Sequence, residues 1–459
     1  MSQRLYARHA LLPQGWAEDV VVEIAEDGTI GSVTPGGDAV EAERVSGPLI
    51  PAVPNVHSHA FQRALAGRTG QHSHDRSDTF WTWRDVVYDF LDRLDADALE
   101  AVTAQAYVEM VKSGYATVAE FHYVHHDVDG RPLADPAENA WRVVNAARTA
   151  GIGLTLLPVF YAHAGFGGTD PTRRQRRLVH APHTFQRLFE ALEHARAEHG
   201  YVLGIAPHSL RAVTPDELRQ VLTLVAPHAP IHIHVAEQTR EVDDCYAWSR
   251  RRPVEWLLSE AAVDARWCLV HATHMTEREV KDLAASRAVA GLAPTTEADL
   301  GDGTFPAEAY LVNGGRYGVG SDSNTVIDPF VELRQLEWSQ RLRLRRRNVL
   351  TGDGEITVGN ALWQAAVRGG AQAMGRRTGE IAPDMRADLV VLDSDDPALA
   401  EQAAQCVLDA AIFGPVRRAV RDVMCGGRWV VREGRHPREA EVAKRYRAVL
   451  SSIRIDGTC

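Results

Sequence analysis

Cysteine is scarce in this 459-residue chain, and Cys245, Cys268, Cys406, Cys425 and Cys459 make no CxxC pair. An odd, scattered set excludes a disulfide framework and points to a reducing compartment with mostly buried thiols. Positive charge is in deficit: 50 Lys and Arg against 61 Asp and Glu leave a formal net charge of -11. That balance argues against nucleic-acid or membrane partners, so an anionic ligand must be met by local arginines. No apolar run approaches membrane-spanning length. The stretch Met1-Ser-Gln-Arg-Leu-Tyr-Ala-Arg8 has no signal-type apolar core, and the expected location is cytoplasmic. Also missing is a Gly-rich phosphate loop after the first long apolar run, which disfavours an open, doubly wound sheet.

What is present reads as an α/β protein. Hydrophobic residues make up 45% and charged residues 24%, an ordinary soluble composition. Short apolar runs at 49–56, 116–121, 151–160, 202–206, 231–235, 267–270, 289–292 and 317–320 alternate with helical patterns such as 97–111, 183–198, 215–225, 254–262 and 276–284. Eight such units predict a (β/α)8 TIM-type barrel. Both ends are strand-rich, with Val20–Ile24 and Ile30–Val33 at one end and Ala387–Leu392, Val420–Met424 and Gly427–Val431 at the other. This suggests a small β-sandwich domain built from both chain ends, or else two separate β appendages. The expected division is 1–48 for its N-terminal part, 49–378 for the barrel, and 379–459 for its C-terminal part with a terminal helix. The basic run Arg341 to Arg347 reads as a solvated helix face.

Chemistry gathers at the predicted strand ends. His57-Ser58-His59 closes the first barrel run, and residues two apart on a strand share a face. Later runs end in His234, His271 and Asp322. His57, His59, His234 and Asp322 would give three imidazoles and a carboxylate to one divalent ion, best matched by Zn²⁺, with a position left for water. Such an ion lowers the pKa of water toward about 7. Glu237, three residues past His234, is placed to shuttle a proton to a leaving nitrogen, and His271 to steer the water or polarise the substrate. Asp322 is the further candidate acceptor for the water proton. His232 competes with His234 for the inward direction, and His122, His125 and His126 form a separate cluster. His72, His74, His180 and His183 read as loop positions.

These motifs resemble the amidohydrolase superfamily, whose deaminase branch carries HxH, His-x-x-Glu, His and Asp at successive strand ends. The segment Gly379 to Asp393 resembles that superfamily's return into its β domain. A second metal there often needs a bridging lysine on a middle strand; none occurs between Lys112 and Lys281, so one ion is expected. The narrower strings Phe80-Trp-Thr-Trp-Arg84 and His208-Ser-Leu-Arg-Ala-Val-Thr-Pro215 resemble the formimidoylglutamate deiminases, as does His57-Ser-His-Ala-Phe-Gln-Arg63 around the more general HxH. Asn324 departs from the histidine expected after Ser321-Asp-Ser323. The resemblance implies metal-dependent hydrolysis of N-formimino-L-glutamate to N-formyl-L-glutamate and ammonia, in histidine catabolism. It also implies Arg84 and Arg211 on the two carboxylates of a small dicarboxylate substrate, with Gln62, Tyr123 and His208 as neutral partners, and a homodimer. The alternatives are a purine or pyrimidine deaminase of the same branch and a non-catalytic metal-binding scaffold.

Overall fold

The computed structural model describes residues 3–70, 78–351 and 357–453. Its centre is a ring of eight parallel strands. β1 (Val53–Ser58), β2 (Tyr115–His122) and β3 (Gly153–Phe160) pair in chain order. β4 comes as two short pieces on β3, Val202–Leu203 and Ala206–Pro207. The other half is β5 (Ile231–Val235), β6 (Trp267–His271), β7 (Val289–Leu292) and β8 (Arg316–Val319). Single parallel bridges close the ring: Ile205 to Ile231 and Ser209 to His234 on one side, Ser58 to Asp322 on the other.

Every residue of β2 and β3 is buried, which explains why apolar residues dominate both faces of these strands. The run expected over 202–206 breaks at Gly204, where a Cβ would lie 2.5 Å from the Pro230 carbonyl oxygen. The run over 49–56 also divides. Leu49–Pro51 pairs antiparallel with Leu389–Leu392, the Ala52 amide donates to the Asp388 carbonyl at 2.9 Å, and Val53 then opens the barrel. Because both pieces are buried, composition alone does not mark the joint.

Both chain ends meet in one eight-stranded sheet. Gln3–Leu12, Gly15–Ile24, Ile30–Thr34, Glu43–Arg44 and Leu49–Pro51 come from the start, and Leu389–Leu392, Val420–Cys425 and Arg428–Val431 from the end. Leu5, Val20, Val22, Leu389, Val391 and Met424 fill a core of its own. Helices end where the sequence supplies stops and caps. Ala96–Ser113 starts on an Asp95 cap and stops at Gly114, whose φ is 106°. The basic run is solvated at Arg343, Arg345, Arg346 and Arg347, while Arg341 Nε donates to the fully buried Glu337 at 2.7 Å. Cys245, Cys268, Cys406 and Cys425 are free thiols; Cys459 lies outside the described residues. Among the described residues no helix is long and apolar enough to cross a membrane.

Candidate active site

The carboxyl ends of parallel barrel strands share one rim, and reactive side chains converge there. His57 and His59 stand at the end of β1, His234 on β5, and Asp322 just past β8. The Nε2 atoms of His57 and His234 are 3.0 Å apart. Asp322 Oδ1 lies 3.4 Å from His57 Nε2 and 3.5 Å from His59 Nε2. The three histidines each offer a ligand atom, all within 4.8 Å of one another. Nitrogen donors around a tetrahedral zinc stand about 3.3 Å from each other. The donor set and its spacing therefore fit one metal ion.

The rings are already turned for that role. His59 Nδ1 faces the Phe121 carbonyl at 3.1 Å, and His234 Nδ1 faces the His208 carbonyl at 3.0 Å. A carbonyl only accepts, so each Nδ1 carries the hydrogen and each Nε2 keeps its lone pair toward the centre. Burial lowers the pKa of all three imidazoles, His59 to about 3, which leaves them neutral and ready to ligate. Gly320 lets β8 approach β1, since a Cβ there would sit 2.7 Å from the His57 backbone nitrogen and oxygen.

Glu237 and His271 lie beside this triad. His271 Nε2 is 3.7 Å from Glu237 Oε1 and 3.8 Å from Asp322 Oδ2. Burial, opposed by His271 and Arg211, pushes the Glu237 carboxyl up to about 7. For His271, burial resists protonation, but Glu237, Glu297 and Asp322 outweigh it and lift the imidazole to about 10 when no cation is bound. Asp322 is held far below the usual carboxylate range: burial opposes this, but His57, His271 and His59 prevail.

One cavity is lined by His59, Gln62, Arg84, Tyr123, His208, Arg211, His234, Glu237, His271 and Asp322, with His57 beneath it. Every residue proposed from the sequence is thus at one place. Gln62 Nε2 donates to the Tyr123 hydroxyl at 3.0 Å, leaving Gln62 Oε1 without a partner. The Nε atoms of Arg84 and Arg211 are also buried and unpartnered. Arg211 Nη2 approaches Glu237 Oε2 at 3.8 Å. Burial, then Arg211, holds the His208 pKa well below its ordinary value, so that ring is neutral.

Sequence reasoning missed the supports. Glu241 accepts the backbone amides of Ala236 and Glu237 at 3.0 and 3.2 Å and so shapes the His-x-x-Glu turn. Glu297 accepts from His271 Nδ1 at 3.3 Å and turns Nε2 toward Glu237 and Asp322. Asn324 Nδ2 donates to the His59 carbonyl at 3.0 Å and the Asp322 carbonyl at 2.9 Å, while its Oδ1 accepts from Ser321 at 2.7 Å. Its position after Ser-Asp-Ser was the available signal. Ala236, His271, Ala272, Asp322 and Asn324 all have positive φ, so this rim carries non-glycine backbone strain.

The remaining histidines point elsewhere. His232 Nε2 bonds the Ala373 carbonyl at 2.7 Å, in a layer below the triad. His122, His125 and His180 pack against one another outside the site. His180 is in a loop but buried, and His183 begins the helix Pro182–His199; His72 and His74 lie outside the described residues.

Comparison with known proteins agrees with this geometry. Residues 49–430 match the model of the amidohydrolase family, and residues 3–47 match "Formimidoylglutamate deiminase HutF, N-terminal domain". A formimidoylglutamate deiminase of Pseudomonas aeruginosa is 50% identical over 98% of this chain and 99% of its own. An 8-oxoguanine deaminase of the same organism is 28% identical over 84% and 82%. A solved amidohydrolase from Brucella melitensis superposes with a TM-score of 0.92 at 48% identity, covering 98% of this chain and 99% of that one. The chain belongs to the amidohydrolase family and, within it, to the formimidoylglutamate deiminases.

Proposed function

We propose that this chain hydrolyses N-formimino-L-glutamate to N-formyl-L-glutamate and ammonia, as a cytoplasmic homodimer serving histidine catabolism. The barrel, which opens at Val53, carries the chemistry, and the sheet built from both chain ends braces it. The observation that carries the substrate reading is the pair Arg84 and Arg211, the first half-buried and the second buried, each with its Nε atom sealed from solvent. Their unpartnered Nε donors share a cavity with a histidine triad and a protonatable glutamate. A buried guanidinium without a full set of acceptors is costly unless a ligand supplies them, and a carboxylate does so in bidentate fashion. A neutral purine offers no such partner.

His57, His59 and His234, with Asp322 as fourth donor, would hold the cation, for which three imidazoles and a carboxylate favour zinc. When bound, the cation supplies Lewis acidity that activates water for attack on the amidine carbon. Asp322 and His271 flank that position and take up or steer the water proton. Glu237 passes a proton to the departing nitrogen, so that the C–N bond breaks with ammonia as leaving group and a formyl C=O remains. Gln62, Tyr123 and His208 offer neutral hydrogen bonds to the formimino and carboxylate groups.

The test is ammonia release from formiminoglutamate, with the metal quantified in the same sample and guanine as the competing substrate. Turnover of formiminoglutamate with about one zinc per chain is expected; ammonia from guanine alone overturns the reading.

A further inference from the structure

Trp81 plays no part in the chemistry above, yet three guanidinium groups crowd its indole. The Cζ atom of Arg84 lies 4.5 Å from the ring centroid, that of Arg240 4.8 Å, and that of Arg211 5.6 Å. They come from three parts of the fold: the helix Phe80–Leu91, the first turn of the helix Thr239–Ser249, and the loop after β4. An indole offers two faces, so at least two of the three cations share one. Compensation is uneven. Arg211 has the charge of Glu241 and has Glu237 at 3.8 Å, Arg240 has Asp244 at 3.6 Å, and Arg84 has no ion-pair partner among the described residues. Attraction to the ring quadrupole offsets part of the repulsion, and a bound anion would offset the rest.

The three cations are graded by depth. The Arg211 side chain is 10% exposed and adjoins Glu237, Arg84 lines the cavity, and Arg240 is 67% exposed. The substrate proposed above has the same order. Its α-carboxylate stands next to the amidine nitrogen, and its side-chain carboxylate lies further out along the chain. With the amidine carbon at the histidine triad, the inner carboxylate falls to Arg211 and the outer one reaches toward Trp81.

We propose that Arg240, laid across Trp81 beside Arg84, is a specificity-determining residue that shares the substrate's side-chain carboxylate with Arg84 at the mouth and makes the site prefer dicarboxylates. This rests on the formiminoglutamate reading. Trp81 is the platform: its ring fixes guanidinium groups that would otherwise move apart. An exposed ion pair is modest in strength, so the effect belongs in KM rather than in kcat.

The experiment compares three ligands on the zinc-loaded enzyme, as substrates or, where turnover is slow, as competitive inhibitors. They are N-formiminoglutamate, N-formimino-4-aminobutyrate (side-chain carboxylate only) and N-formimino-2-aminobutyrate (α-carboxylate only). Arg240→Gln is expected to raise KM about three- to fivefold for the first two, leave the third unchanged, and change kcat by less than about twofold. Trp81→Leu, which also releases Arg84 and Arg211, should raise KM for all three ligands, and Trp81→Phe should undo most of that rise. If Trp81→Leu fails to fold, Arg240→Gln and Arg240→Lys decide. An unchanged KM for formiminoglutamate in Arg240→Gln, or an equal rise for all three ligands in that variant, overturns the assignment of Arg240 while leaving the activity intact. Absence of wild-type turnover on formiminoglutamate overturns the substrate reading and this inference with it.

Discussion

Glu237 is a carboxyl group with two opposed neighbours, His271 at 3.7 Å and Arg211 at 3.8 Å, in a place where burial favours the neutral acid. The outcome, a carboxyl lifted to about 7, is a group that both holds and releases a proton near neutrality. Glu297 fixes Nδ1 of His271, which leaves Nε2 facing both Glu237 and Asp322. Glu237→Gln keeps the shape and the hydrogen-bonding reach but carries no transferable proton. It is expected to lower kcat by about 10²–10⁴-fold with little change in KM or in bound metal. Turnover at the wild-type rate in a metal-replete Glu237→Gln sample would mean that the leaving nitrogen is protonated by another group.

At the scale of the element, the site depends on how two strand ends are held together. Asn324 does this between β1 and β8, tying the carbonyls of His59 and Asp322 to one side-chain amide. It also adopts φ 56°, a conformation asparagine tolerates better than most residues. Asn324→Ala leaves those buried groups and the Ser321 hydroxyl short of a partner, at a cost of about 1–3 kcal/mol. A lower Tm and faster loss of metal to a chelator are expected together. A fall in Tm with unchanged metal retention would show that the clamp serves the fold alone.

Such clamps also mark the boundary of what the sequence makes legible. Strand-end residues such as His234 and Asp322 could be read because a buried apolar run followed by a polar reactive residue is a local pattern. Glu297 and Asn324 could not be assigned, because their partners lie 26 and 265 residues away and no local pattern encodes that distance. The same limit explains 49–56, a single apolar run that serves two different sheets.

The whole molecule adds a cost that its composition does not show, namely histidines buried away from the site. His122, His180 and His232 are each held at about 3 by burial. In the unfolded chain such rings titrate near 6.5, so between pH 6.5 and 3 the unfolded state binds more protons than the folded one. Stability is therefore complete above about pH 6.5 and falls as the pH drops, by about 1.4 kcal/mol per pH unit for each such histidine. His122 isolates this effect: burial is the sole cause of its shift, and its Nε2 has no hydrogen-bond partner to lose. His122→Leu keeps a similar volume and removes the titration. Its Tm at pH 7.5 should stay close to wild type, while the fall in Tm between pH 7.5 and 5 becomes shallower. If the two curves run parallel, His122 is already protonated in the folded protein or stays neutral in the unfolded one, and the acid sensitivity must come from other groups.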